Sequence, residues 1–108
     1  MGRGEDNLDQ VRGKMVIGTC TLELLLPGNG SLKDKRRVVK SITQRVQNNF
    51  NVSIAEIGAQ DLWQRTVLGI ACISNNAEAA HRLLTNVVEW VTGHYPQVEM
   101  LDYEIEIL

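Results

Sequence analysis

Residues 15–27 read MVIGTCTLELLLP, and their alternation decides the fold. Val16, Cys20, Leu22, Leu24 and Leu26 fall on one face, while Ile17, Thr19, Thr21 and Glu23 fall on the other. A period of two predicts a strand with one strongly apolar face. Pro27, Gly28, Asn29 and Gly30 then stop it. Immediately after, Ser31 followed by Asp34 has the pattern of a helix N-cap with an acidic variant of the capping box. Leu32, Val38, Val39, Ile42, Val46 and Phe50 recur at helical spacing from there.

Working outward, NVSIAEIG (51–58) reads as a short strand and RTVLGIACIS (65–74) as a longer one rich in β-branched residues. AQDLWQ between them has the length of a hairpin connection. Asn75 or Asn76 caps a second helix whose apolar face is Ala80, Leu83, Leu84, Val87 and Val91, closed by Gly93 and Pro96. EMLDYEIEIL (99–108) alternates again, with Leu101, Tyr103, Ile105 and Ile107 opposed to Met100, Asp102, Glu104 and Glu106. The order strand, helix, strand, strand, helix, strand favours an α+β, ferredoxin-like βαββαβ sandwich: a four-stranded antiparallel sheet with both helices on one face. At 108 residues the chain holds one core. Residues 14–108 form the single domain, and residues 1–13 are expected to be a disordered tail.

Neither a span of about 18 apolar residues nor a secretory signal is present, so the expected location is the cytoplasm. Cys20 and Cys72 lie far apart in apolar segments, which predicts packed, reduced thiols rather than a zinc or redox motif. The net charge of −2 hides segregation. Between Ser31 and Phe50 stand six basic residues against one acid, a local charge of +5 that leaves −7 elsewhere. The last ten residues hold Glu99, Asp102, Glu104 and Glu106. Segregated charge orients partners even when the total is near zero.

LELLLPGNGSLKDKRRVVKSI followed by FNVSIAEIGAQDLWQRTVLGIACIS resembles the YlxP-like family of small bacterial proteins, a domain of unknown function. The resemblance runs from about Lys14 to the end, and SLKDKRR and QDLWQR are its most specific parts. It implies a ferredoxin-like fold. It also implies a gene neighbourhood beside translation initiation factor two and ribosome-binding factor A, hence a role around ribosome assembly or translation, with rRNA or a ribosomal subunit as partner. It assigns no residue a task.

On a helical wheel Lys33, Arg36, Arg37 and Lys40 share an arc of about 100°, roughly opposite the apolar stripe. With the helix N-terminus beside them, these four are the candidate nucleic-acid or anion site. The plainer alternative is a solvated face. Lys35 points into the apolar arc, so its stem covers the core edge while its charge seeks a carboxylate, with Glu23, Glu56 and Asp61 as candidates. Ser31, Asp34 and Lys35 are therefore assigned structural roles.

RNA readers of this topology stack bases on aromatics of the central strands. Here the open face offers Ile17, Thr19, Thr21 and Glu23, with Asp102, Glu104 and Glu106 beside them, so any RNA contact belongs to the first helix. Asp61, Trp63 and Arg65 in QDLWQR are the candidate partner-binding set. Asp61 organises the turn, and Arg65 pairs with it or stays free. Trp63 either stacks on a partner at the loop tip or folds back to plug the core. Trp90 is expected in the core or at an interface. The third strand is apolar on both faces, Val67, Gly69, Ala71 and Ile73 against Leu68, Ile70 and Cys72, which suggests self-association, a dimer in first place. His81 and His94 have no partners at catalytic spacing, and no nucleotide loop is present. The reading is a non-enzymatic module without cofactor or metal, acting near the ribosome through the first helix. Its rival is a homo-oligomeric protein-interaction module that does not touch nucleic acid.

Overall fold

A computed structural model describes residues 11–108. The expected disordered tail lies mostly outside the described residues; Val11 and Arg12, the first described, have helical backbone. The elements are β1 (Val16–Leu25), α1 (Leu32–Asn49), β2 (Ser53–Gly58), β3 (Arg65–Ser74), α2 (Ala77–His94) and β4 (Glu99–Ile107). The strands form one antiparallel sheet in the order β2-β3-β1-β4, with both helices on one face. This is the ferredoxin-like α+β arrangement that the order of elements predicts.

The alternation of β1 survives intact. Val16, Cys20, Leu22 and Leu24 are buried beneath the helices together with Leu68, Ile70 and Cys72 of β3. Val39, Ile42 and Val46 of α1 and Ala80, Leu84, Val87, Val88 and Val91 of α2 close the core over them. α1 leans toward β2, whereas α2 lies over β1, β3 and β4. α2 packs tightly over Gly18: a Cβ there would sit 3.0 Å from Leu84 Cδ1 and 3.3 Å from Ala80 Cβ.

The helix starts follow side-chain chemistry. Ser31 Oγ accepts the Asp34 N–H at 3.0 Å, and Asn76 Oδ1 accepts the Ala79 N–H at 2.7 Å, so Asn76 rather than Asn75 is the second cap. Gly93 does not close α2. The helix runs through it to His94, and Tyr95 caps it by donating its N–H to the Val91 carbonyl. Phe50 caps α1 in the same way on Val46 instead of belonging to the helix.

Two bulges break the simple alternation. In β4 the register shifts by one between Asp102 and Met100, so Met100, opposite buried Leu24, and not Leu101, shares the helix-facing side with Tyr103, Ile105 and Ile107. In β2 the extra residue is Ile57, between Glu56 and Gly58. Ile57 lies across the open face over Gly69, where a Cβ would come within 2.9 Å of its Cγ2. Beyond that point the open face reads, from β2 to β4, Ala55–Gly69–Thr21–Glu104 and Ser53–Ala71–Thr19–Glu106. No helix among the described residues is long and apolar enough to cross a membrane.

Candidate functional site

The two most specific motifs of the sequence meet at one end of the sheet. Lys35, in the first turns of α1, is fully buried. Its ammonium is 2.8 Å from Glu56 Oε2 and donates to the carbonyls of Ala59 at 2.6 Å and Gln60 at 3.2 Å. An ammonium has three protons, and three acceptors surround it. A buried charge is tolerated under these conditions, paired and fully hydrogen-bonded. Glu56 Oε2 also accepts the hydroxyl of buried Thr66 at 2.6 Å.

The backbone explains why Glu56 is the partner. Glu56 stands opposite Leu68, on the helix-facing side of the edge strand, so its carboxylate points under α1. After the Ile57 bulge, Ala59 turns into the left-handed region (φ 56°), and the carbonyls of Ala59 and Gln60 face Lys35. Glu23 and Asp61 are not used. Glu23 lies on the open face and receives Arg65, whose Nε donates to its Oε1 at 2.9 Å and whose Nη2 also contacts that oxygen. Arg65 therefore neither stays free nor pairs with Asp61.

Further bonds tie the β2–β3 loop to the loop after β1. Leu26 N–H donates to the Gln64 carbonyl (2.8 Å), Gln64 Nε2 to the carbonyls of Asn29 (3.0 Å) and Pro27 (3.3 Å), and Asn29 Nδ2 to the Trp63 carbonyl (3.4 Å). PGNGS and QDLWQR thus form one junction at the N-terminus of α1. Trp63 does not plug the core: it is 55% exposed, beside exposed Leu62 and Asp61. With Leu25, Leu62, Gln64 and Arg65 it borders a shallow depression.

Lys33, Arg36, Arg37 and Lys40 are all exposed, and none forms a salt bridge with a carboxylate among the described residues. One flank of α1, by contrast, meets the end of α2. Ser41 Oγ is 2.7 Å from the Tyr95 hydroxyl, and the Arg45 guanidinium lies 5.1 Å from both the Trp90 and the Tyr95 ring centroids. The four cations lie roughly opposite the buried stripe of Lys35, Val39, Ile42 and Val46, on the solvent side of α1. Arg45 belongs to a different group: Trp90 stacks on His94 (4.3 Å) and meets Phe50 edge-on (6.0 Å), as a partly buried wall of the core. His94 and Arg45 are thereby engaged in packing, and His81 is exposed.

Cys20 and Cys72 are buried free thiols. Burial pushes the Cys20 thiol up to about 11, against a smaller lowering by the Glu104 backbone. Sequence reasoning separated the four exposed cations of α1 from buried Lys35 but missed the carbonyl cage around Lys35. The only hint was the apolar position of a lysine, which demanded some partner without naming one.

Residues 17–105 match the family described as Protein of unknown function (DUF503). Over 84 residues the chain is 45% identical to the "Uncharacterized protein YlxP" of Bacillus subtilis (strain 168), covering 78% of this chain and 90% of that protein. Among solved structures, the crystal structure of "Putative Chlorite dismutase TA0507" superposes with a TM-score of 0.51 at 18% identity, over 85% of this chain and 43% of that one. The "De novo designed protein Foldit4" gives a TM-score of 0.49 at 14% identity, over 88% and 97% of the respective chains. At 18% identity the likeness to the former is one of fold.

Proposed function

The chain belongs to the DUF503 family, and we propose that it is a non-enzymatic RNA-binding module that engages phosphates through Lys33, Arg36, Arg37 and Lys40 and a neighbouring base through Trp63. The observation that carries this reading is selective neutralisation. At one junction, Lys35 and Arg65 each have a carboxylate, while the four outward cations have none among the described residues. Unpaired cations on a rigid rod suit a line of phosphates, because release of condensed counterions drives such binding. Trp63 is carried, exposed, on the loop whose Ala59 and Gln60 carbonyls Lys35 holds, and an exposed ring can stack on a base. The open sheet face does not compete for this role: Glu104 and Glu106 stand beside Thr21 and Thr19, with no aromatic on β1 or β3. The gene neighbourhood implied by the resemblance directs the choice from nucleic acid in general to RNA of the ribosome.

Fluorescence anisotropy with a labelled single-stranded rRNA fragment over a salt series tests the reading. Four phosphate contacts give a slope of log K against log salt of about −3, and Arg36/Arg37/Lys40→Ala reduces its magnitude by about 2. A flat salt response, or a variant that binds like the parent, refutes it. Co-sedimentation with ribosomal particles over the same series places the target.

One observation favours a second reading. Ile17, Ile57 and Ile73 are exposed on the open face, Ile73 at 66%, which would suit a homodimer packed face to face. Light scattering on the parent and on Ile57→Lys/Ile73→Lys decides it: a parent dimer converted to monomer supports pairing, and a monomeric parent removes it.

A further inference from the structure

The far edge of the sheet is built differently from the junction. β4 is nine residues long, and among the described residues no strand pairs with its outer side. Its backbone therefore presents a row of unpaired N–H and C=O groups, the template for strand addition. Natural edges are commonly short, bulged or covered, whereas past the bulge at Leu101 six of these residues (Asp102–Ile107) run on without a register shift. Only Ile105 is partly buried; Met100, Tyr103 and Ile107, which share its side, are 43%, 40% and 37% exposed. The opposite side carries Asp102, Glu104 and Glu106, all exposed and without a salt bridge among the described residues. The edge thus has an apolar side, an acidic side and a free backbone.

We propose that the outer edge of β4 docks an extended segment of a partner protein in which lysine or arginine alternates with apolar residues. Strand addition sets the alternation: every second side chain of the segment lies beside Asp102, Glu104 and Glu106, and the others lie beside Tyr103, Ile105 and Ile107. Charge selects the occupant. A second copy paired antiparallel across a two-fold axis keeps each side chain on its own face, so it places acids opposite acids in every register. Cross-strand like charges are destabilising, and opposite charges stabilise. Nucleic acid is repelled by the same carboxylates.

The probe is an end-capped octapeptide in which lysine and valine alternate. It is compared with the same peptide carrying glutamate in place of lysine, and with a block peptide of identical composition in which all the lysines precede all the valines. Hydrogen exchange followed by NMR on the full chain reads which amides become protected. The expected result is protection confined to β4, with the alternating lysine–valine peptide bound at least about tenfold more tightly than either control. Glu104→Lys/Glu106→Lys should exchange the preference, losing the lysine–valine peptide and gaining the glutamate–valine peptide by a similar factor. That gain also demonstrates that the variant is folded. The proposal is overturned if the block peptide binds as well as the alternating one, if protection falls on β2 or nowhere, or if β4 becomes protected by self-association without peptide.

Discussion

The two flanks of the sheet carry opposite charge and end in opposite ways. On the β2 side the edge strand has six residues, and its Glu56 carboxylate and two carbonyls of the loop that follows are drawn inward to a single buried ammonium. On the β4 side the edge is half as long again, acidic, and left bare among the described residues. The difference lies in what each flank can offer a partner. The junction holds cations and an exposed ring in a fixed arrangement, at the cost of burying a charge. The bare edge offers a pattern that a flexible segment can adopt, at almost no cost to the fold. Removing a residue should therefore damage stability on one flank and binding alone on the other.

The largest effect tests the junction. Lys35→Met keeps the length of the stem but leaves Glu56 as an unpaired carboxylate and two carbonyls without their donor. Loss of one partner of a buried pair costs about 3–5 kcal/mol, read as a fall in the urea midpoint with unchanged slope. If Lys35→Met unfolds like the parent, the ammonium does not hold the loop, and the contrast between the flanks fails. Lys35→Met/Glu56→Met sharpens the test by recovering part of the loss, since removing both charges is less harmful than orphaning one.

That pair also shows how far the sequence could be read. The periods of β1, β3 and both helices named the layers, because each element buries one uninterrupted stripe. The apolar position of Lys35 demanded a counter-charge, yet three carboxylates qualified. What chose among them is the orientation of Glu56 on the helix side of β2, followed by the bulge at Ile57. A single inserted residue inverts every later alternation and has no composition of its own. The same blindness misplaced Leu101, whose bulge hands the helix side to Met100. The bonds between Asn29, Gln64 and Trp63 join residues more than thirty positions apart, mostly through carbonyls, which every residue has. The four outward cations were legible because they are charged and periodic. Arg65 was not, since its partner Glu23 sits diagonally on the neighbouring strand.

Next in size is the effect of the cations on RNA. Arg36/Arg37/Lys40→Ala should leave the urea midpoint nearly unchanged, because exposed substitutions shift stability by about 0.5 kcal/mol or less. Its RNA affinity at low salt should fall by about two orders of magnitude, with the flattened salt slope given above. Trp63→Ala should weaken binding by about 1–3 kcal/mol and leave the slope unaltered, since stacking releases no counterions. A slope that changes with Trp63, or an affinity that ignores it, would detach the loop from the helix as a binding unit.

A smaller effect lies between the flanks. Cys20, in β1 next to β4, has a thiol raised from 9.0 to about 11 by burial. The folded state thus holds the proton more tightly than the unfolded one. The sign follows: this contribution is complete below pH 9 and is lost as pH rises toward 11, by about 1 kcal/mol at pH 10. Cys20→Ala should decline less steeply than the parent between about pH 9 and 10 in parallel urea titrations. Parallel declines would mean that Cys20 ionises freely in the native state.

The smallest effect is expected at the β4 edge, and its smallness is the informative part. Glu104 and Glu106 are exposed, form no salt bridge among the described residues and face Thr21 and Thr19 across the ladder. Reversing both to lysine removes carboxylate crowding and adds cations beside hydroxyls, neither of which is worth more than a few tenths of a kcal/mol on an open surface. The urea midpoint of Glu104→Lys/Glu106→Lys should thus match the parent within about 0.5 kcal/mol. A larger loss would mean that the acids support the sheet itself. The flanks would then differ in charge alone, and not in the division between a flank that builds the fold and one that is spare to bind. If the midpoint holds while the peptide preference inverts, that division is measured on a single variant.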